Sequence, residues 1–216
     1  MREPVKGKTV AGRRREKRAW RTRRRIARAA IRLFLERSYA ATTVEAVAHA
    51  AGVSPATVYQ AFGNKQSILA AALDATIAGD GEDRPVLDRE WVQRARAEPD
   101  AEERLQLIVR HTSEIAARTA ASKEVIRDAA AVEPSMRALI DEDHSSRRRT
   151  QEALVRIILG AADGSEASVR AAADTYYALV NSDTYRLLVM NLGWSYGRWA
   201  EWLVQQLRPQ LVRHNA

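Results

Sequence analysis

Apolar side chains recur three and four positions apart from Ile26 almost to the C-terminus, whereas runs that alternate apolar with polar residues are scarce. A period near 3.6 places such residues on one face of an α-helix, so the chain is expected to be all-α. The first stripe is Ile26, Ala29, Ala30, Leu33 and Phe34, on a helix over residues 19–37. Thr43 precedes a second set, Val44, Val47, Ala48 and Ala51, and its hydroxyl suits an N-cap. Gly52 ends that short helix. Ser54 followed by Pro55 is a start signal for a third, because serine caps free amides and proline is tolerated at the first helical position. Gly63 and Asn64 suit its C-terminal turn, and Lys65 opens a longer helix through Ile68, Leu69, Ala72 and Leu73.

A loop is expected over residues 78–85, and further helices over 87–97, 100–120, 122–132, 134–159, 165–181, 183–192 and 195–212. Three regions result: a basic arm over residues 1–18, a helix-turn-helix domain over 19–73 and a larger helical domain over 74–216.

Charge is distributed unevenly. Of 35 Lys and Arg and 27 Asp and Glu, 12 and 2 fall in residues 1–25, so that segment carries +10 and the remainder is close to neutral. A compact cationic block beside a neutral body is the footprint of a phosphate-contacting arm. A solubilising tail and a polybasic patch for anionic lipid share that composition. With little apolar periodicity before Lys17, the arm is expected to lack fixed structure until it meets a partner.

The chain has no cysteine, which excludes disulfides, thiolate metal sites and a cysteine nucleophile. The four histidines are widely separated, no His-Glu-x-x-His pattern occurs, and no metal or other cofactor is expected. No apolar run approaches the roughly 18 residues a membrane span needs, so a cytoplasmic protein is expected.

Two short helices around Gly52-Val53-Ser54, held by a longer amphipathic one, form a compact unit whose later helix suits a DNA major groove. The residues carry more than the spacing. Ile26 to Phe34, then Tyr39-Ala40-Ala41-Thr42-Thr43-Val44, Val47-Ala48-His49-Ala50-Ala51-Gly52-Val53-Ser54 and Thr57-Val58-Tyr59-Gln60-Ala61-Phe62-Gly63-Asn64-Lys65 follow one another in register. This segment, residues 24–69, resembles the N-terminal domain of the TetR family of bacterial transcriptional regulators. Ser38 departs from the pattern, since the family usually has glycine before the tyrosine.

The resemblance implies a dimeric regulator of double-stranded DNA, most often a repressor that a small-molecule effector releases from a palindromic operator. It also implies roles. Thr43, Tyr59 and Lys65 would contact phosphates, Pro55 and Ala56 would line the approach to the groove, and Thr57 and Gln60 would touch base edges. Arg24 joins this set from the basic segment. Ala50, Val53, Val58 and Phe62 are assigned to packing.

In the larger domain Val169, Ala173, Tyr176, Tyr177 and Val180 precede Trp194, Trp199, Trp202, Leu203 and Leu207. The stretch from Leu179 to Trp202-Leu203 looks like the C-terminal region of a subset of such regulators. The family arrangement implies a homodimer through the last long helices, with Tyr176, Val180, Trp199, Leu203 and Leu207 at the interface. Trp91, His111, Ser113, Met136, Tyr176 and Tyr177 are candidate lining of an effector cavity. An enzyme localised by its basic arm is the competing class, but no phosphate loop, nucleophile elbow or paired-carboxylate motif stands out. A membrane-surface or RNA-binding protein using the arm is a third.

Overall fold

The computed structural model describes residues 10–79, 84–160 and 165–212, and the chain divides into two compact units, Met1–Ala75 and Thr76–Ala216. The described residues are helical and contain no strand, as the 3.6-residue period requires.

In the N-terminal unit α1 (Val10–Arg37), α2 (Val44–Ala51), α3 (Pro55–Phe62) and the start of α4 (Lys65–Ala78) surround one small core. The stripe from Ile26 to Phe34 is buried with Val47, Ala48, Val58, Ile68 and Leu69. Thr42 fastens the α1–α2 connection. Its buried hydroxyl donates to the carbonyls of Ser38 at 2.8 Å and Leu33 at 3.2 Å, tying the turn to the end of α1. That turn holds Ser38 at φ 73°, a left-handed conformation that glycine adopts without cost and serine does not.

One expectation here is corrected. Residues 10–18, read as part of an unstructured arm, belong to α1, which begins at Val10 rather than near Ala19. Arginine and lysine are good helix formers, and propensity sustains the helix beyond the apolar stripe. The rest of the arm lies outside the described residues.

In the second unit a 3₁₀ turn (Val86–Asp88) leads into α5 (Glu90–Ala97), α6 (Ala101–Val132), α7 (Met136–Leu159), α8 (Glu166–Leu179), α9 (Ser182–Tyr185), a π-helical turn (Arg186–Asn191) and α10 (Tyr196–Leu211). α6 is central, with α5, α7, α9 and α10 packed against it. The core joins Leu105, Ile108, Leu154, Ile158, Tyr176 and Trp199 from four of these helices. The break expected near Ala121 is absent, and α6 is one helix of 32 residues. Ser122, expected to begin a new helix, is instead buried in mid-helix with its hydroxyl 3.3 Å from Thr76 Oγ1. The helix expected over 183–192 is two pieces. Asn181 caps α9, its Oδ1 accepting from the amides of Asp183 and Thr184, and the chain then widens into the π turn. No described helix is long and apolar enough to cross a membrane.

Candidate nucleic-acid interface and effector cavity

The geometry of α2 and α3 follows from their local sequence. Thr43 Oγ1 accepts from the amide of Ala46 at 3.1 Å and opens α2. Gly52, at φ 62° and ψ 43°, closes it: the amide of Val53 reaches back to the Ala48 carbonyl and that of Gly52 to His49, both at 3.0 Å. Only one residue then separates Gly52 from the next cap. Ser54 Oγ accepts from the amide of Thr57 at 3.2 Å, with Pro55 in the first turn of α3. Asn64 caps α4 in the same manner, accepting from the amide of Ser67 at 2.8 Å.

This frame buries Val58 and Phe62 and turns the other side of α3 outward. Pro55, Ala56 and Gln60 are exposed, and Tyr59 is 49% exposed, a large fraction for an aromatic ring. Thr57 is half-buried, its hydroxyl 2.9 Å from Ser54 Oγ. Thr43 is exposed beside its capping contact. Lys65 is half-buried with its ammonium 4.1 Å from the centre of the Tyr39 ring, and Arg24 lies over Trp20 at 5.2 Å.

Arg23 was missed in the sequence. Its guanidinium lies 4.3 Å from the Phe62 ring and donates to the carbonyl of Ala61, placing a cation at the C-terminal end of α3. It thereby fixes the basic half of α1 to the end of α3. Its position in an arginine run hid it, since neighbours such as Arg21 and Arg25 are merely exposed.

The second unit contains three cavities of note. One of about 150 Å³ is bounded by α6, α7 and the chain after α8, with Ile115, Thr119, Arg147, Gln151, Leu154 and Val180 in its wall. A neighbour of about 200 Å³ shares Lys123, Asp143, Arg147 and Ser182 with it. A third, of about 250 Å³, brings together Trp91 and His111, whose rings stack 4.9 Å apart. Burial holds His111 below its ordinary pKa of 6.5; Glu114, at 3.5 Å, pulls it the other way, while Arg94 and Arg110 reinforce the lowering.

The remaining expected lining residues are scattered. Met136 is buried outside all three cavities. Tyr176 is buried in the core, its hydroxyl 2.6 Å from Thr112 Oγ1, and burial pushes its pKa up against the opposing effect of that bond. Ser113 is buried and bonded to the Arg110 carbonyl and to the Tyr196 hydroxyl, both at 2.9 Å. Tyr177 forms the platform under Arg147, 3.9 Å from ring centre to guanidinium. Arg147 and Gln151 were not anticipated, although a signal existed: they precede Leu154, Val155 and Ile158 on one helical stripe.

The expected dimer residues need correction. Tyr176, Val180, Trp199, Leu203 and Leu207 are all buried within the single subunit, where α8 and α10 pack on each other and on α6. A side chain with no accessible surface in its own subunit cannot meet a partner. The large apolar residues that remain exposed in this region are Leu187, Met190 and Leu192, at 51%, 59% and 62%, and Tyr196 at 38%.

Comparison with known proteins gives the N-terminal unit a family. Residues 26–72 match the model for bacterial regulatory proteins of the tetR family. The N-terminal unit is a tetR-family DNA-binding domain. Members of that family are transcription regulators rather than enzymes, so DNA-binding regulation is the function this tetR-type domain brings. A search of curated sequences finds no match. Among solved structures the chain is similar to a transcriptional regulator from Saccharomonospora viridis in complex with choline (21% identity, TM-score 0.64, covering 90% of this chain and 100% of that one). It is similar to FadR from Bacillus subtilis in complex with stearoyl-CoA (18%, 0.60, 85% and 96%). AibR in complex with isovaleryl coenzyme A and operator DNA is also similar (19%, 0.54, 87% and 98%). At these identities the likenesses establish a shared fold along almost the whole chain.

Proposed function

We propose that the protein is a repressor that binds a palindromic operator as a homodimer and leaves it when a small molecule occupies the second unit. The observation that carries this reading is the outward polar face of α3, framed by two capped turns and flanked by the basic half of α1. Gln60 and Thr57 are the candidates for base edges; Thr43, Tyr59, Lys65 and Arg24 for phosphates; Pro55 and Ala56 for the close-approach surface. AibR was solved with both an acyl-CoA and operator DNA, which supports pairing the two functions in one chain. Stearoyl-CoA and isovaleryl-CoA are both acyl thioesters of coenzyme A whereas choline is a quaternary ammonium, so the ligands of the similar structures do not single out one effector for this chain.

A single helix-turn-helix reads too few base pairs for useful specificity, and a two-fold pair would present its recognition helices about 34–36 Å apart or a multiple of that. The interface is assigned to the exposed apolar residues Leu187, Met190 and Leu192, with a second copy as occupant. A cytoplasmic location accords with this role.

Selection of binding sites from random duplex DNA tests the reading, together with sedimentation of free and bound protein. The expected result is an inverted repeat bound by two chains, with log affinity falling by about 0.9 per phosphate contact for each decade of salt. A single asymmetric site bound by one chain would overturn the dimeric part, and no sequence enrichment at all would overturn the whole.

A further inference from the structure

The two neighbouring cavities of the second unit meet at a wall of three charges that do not cancel. Lys123 and Asp143 form an ion pair at 2.8 Å. Arg127, on the far side, is paired with Asp183. Arg147 has no ion pair of its own: it is attracted to Asp183, which Arg127 already holds, but its Nε and Nη1 are buried without a hydrogen-bond partner among the described residues, and its guanidinium rests on Tyr177. One helical turn further along α7, Gln151 is only 6% exposed. Its Nε2 donates to the Val180 carbonyl at 2.8 Å, which fixes the amide orientation and leaves Oε1 buried with no partner among the described residues. Ile115, Ala116, Leu154 and Val180 supply apolar wall beside these two groups, with the hydroxyl-bearing Thr112, Thr119, Ser146 and Thr150 also in the lining.

Proteins leave few buried donors and acceptors unmatched, and those they do leave call for a specific explanation. Here a positive donor and a neutral acceptor lie i, i+4 on one helix, a spacing of about 5–6 Å between Cβ atoms, and both line the same cavity. Because Lys123 is already neutralised by Asp143, the residual charge is that of one guanidinium, which suits a monoanion. A void of about 150 Å³ holds a body about the size of benzene.

We infer that this cavity binds a small monocarboxylic acid with an apolar body and a second hydrogen-bond donor, its carboxylate on Arg147, its donor on Gln151 Oε1 and its body against Leu154 and Val180. The inference rests on the reading that the second unit senses an effector. A phosphate dianion would bring more charge than the site balances, and an organic cation would oppose Arg147.

Calorimetric titration of the full-length protein with 4-hydroxybenzoate, benzoate and benzylamine tests it, with operator release measured separately. The hydroxy acid should bind best, benzoate more weakly and the amine not at all. Arg147→Met should weaken both acids by about tenfold or more, the loss expected of one charge-assisted hydrogen bond, and Arg147→Lys should recover part of it. Gln151→Leu should reduce the hydroxy acid to the level of benzoate and leave benzoate unchanged. Circular dichroism of each variant verifies the fold. Equal binding of benzylamine, unchanged acid affinity in folded Arg147→Met, or no binding of either acid at millimolar concentration would overturn the inference. Acid binding that never releases operator would sink the effector reading while leaving the ligand class standing. Release by an amine without acid binding would do the reverse.

Discussion

α3 and α7 both carry polar side chains on helices with a buried apolar face, but on opposite sides. On α3 the polar residues Tyr59 and Gln60 point away from Val58 and Phe62, into solvent. On α7 Gln151 is buried in the same stripe as Leu154, Val155 and Ile158. An outward polar face meets a surface as large as DNA. An inward one surrounds something small. The first arrangement leaves folding and recognition to different residues, whereas in the second the same helix face does both.

The largest effect that could break this comparison lies in the second unit's core. Trp199 is wholly buried and packs edge-on against Tyr185 at 5.1 Å. Trp199→Ala should lower the stability of that unit by about 3–5 kcal/mol in denaturant unfolding, as large-to-small core changes do. A loss below about 1 kcal/mol would mean that the core of α6, α8 and α10 is not packed as described.

On α3 the effect should be on binding alone. Gln60→Ala and Thr57→Ala should each cost about 1–3 kcal/mol at the selected site and relax base preference at particular positions, while Lys65→Ala weakens all sequences alike. Gln60→Ala should leave thermal unfolding unchanged, because the side chain is exposed. Equal losses on selected and scrambled DNA for all three would remove the division of roles.

A smaller gain is expected at Ser38. Ser38→Gly relieves a left-handed φ at the loss of one long contact, 3.4 Å from the Ala41 amide, and should raise stability by about 0.5–1 kcal/mol. A destabilised variant would show that the serine hydroxyl matters more than the backbone.

The smallest effect concerns His111. Its folded pKa is lowered, so the unfolded chain takes up a proton first as pH falls through about 6.5, and the second unit should lose stability from there down to the folded value. His111→Gln should flatten that part of the stability profile, and an unchanged slope would assign it to other groups.

The N-terminal unit was legible because its determinants are local. Gly52, Ser54 and Pro55 act within a few residues of their own position, and a stripe such as Ile26 to Phe34 needs no knowledge of what covers it. The second unit was legible as a set of helices but not as a site. Ser122 reads as the start of a new helix after two alanines, yet tertiary packing carried one helix straight through it. Trp199, Leu203 and Leu207 have the same sequence signature whether they face their own subunit or another, and only the packing of α10 on α6 and α8 decides. Arg147 looked like one more charge in Arg147-Arg148-Arg149, where only the first shares the buried face with Gln151.

That uninterrupted α6 has a mechanical meaning. At 1.5 Å per residue its 32 residues span about 48 Å. Near its midpoint Arg118 clasps the closing carbonyls of α4, donating to Thr76 at 2.8 Å and Ile77 at 3.0 Å. The next residues along, Thr119 and Lys123, stand in the wall of the cavity. A hinge near Ala121 would have absorbed a push from that wall as a change of angle between two short rods. A single helix has no such joint, and Lys123 and the clasp at Arg118 lie on one unbroken run of backbone hydrogen bonds.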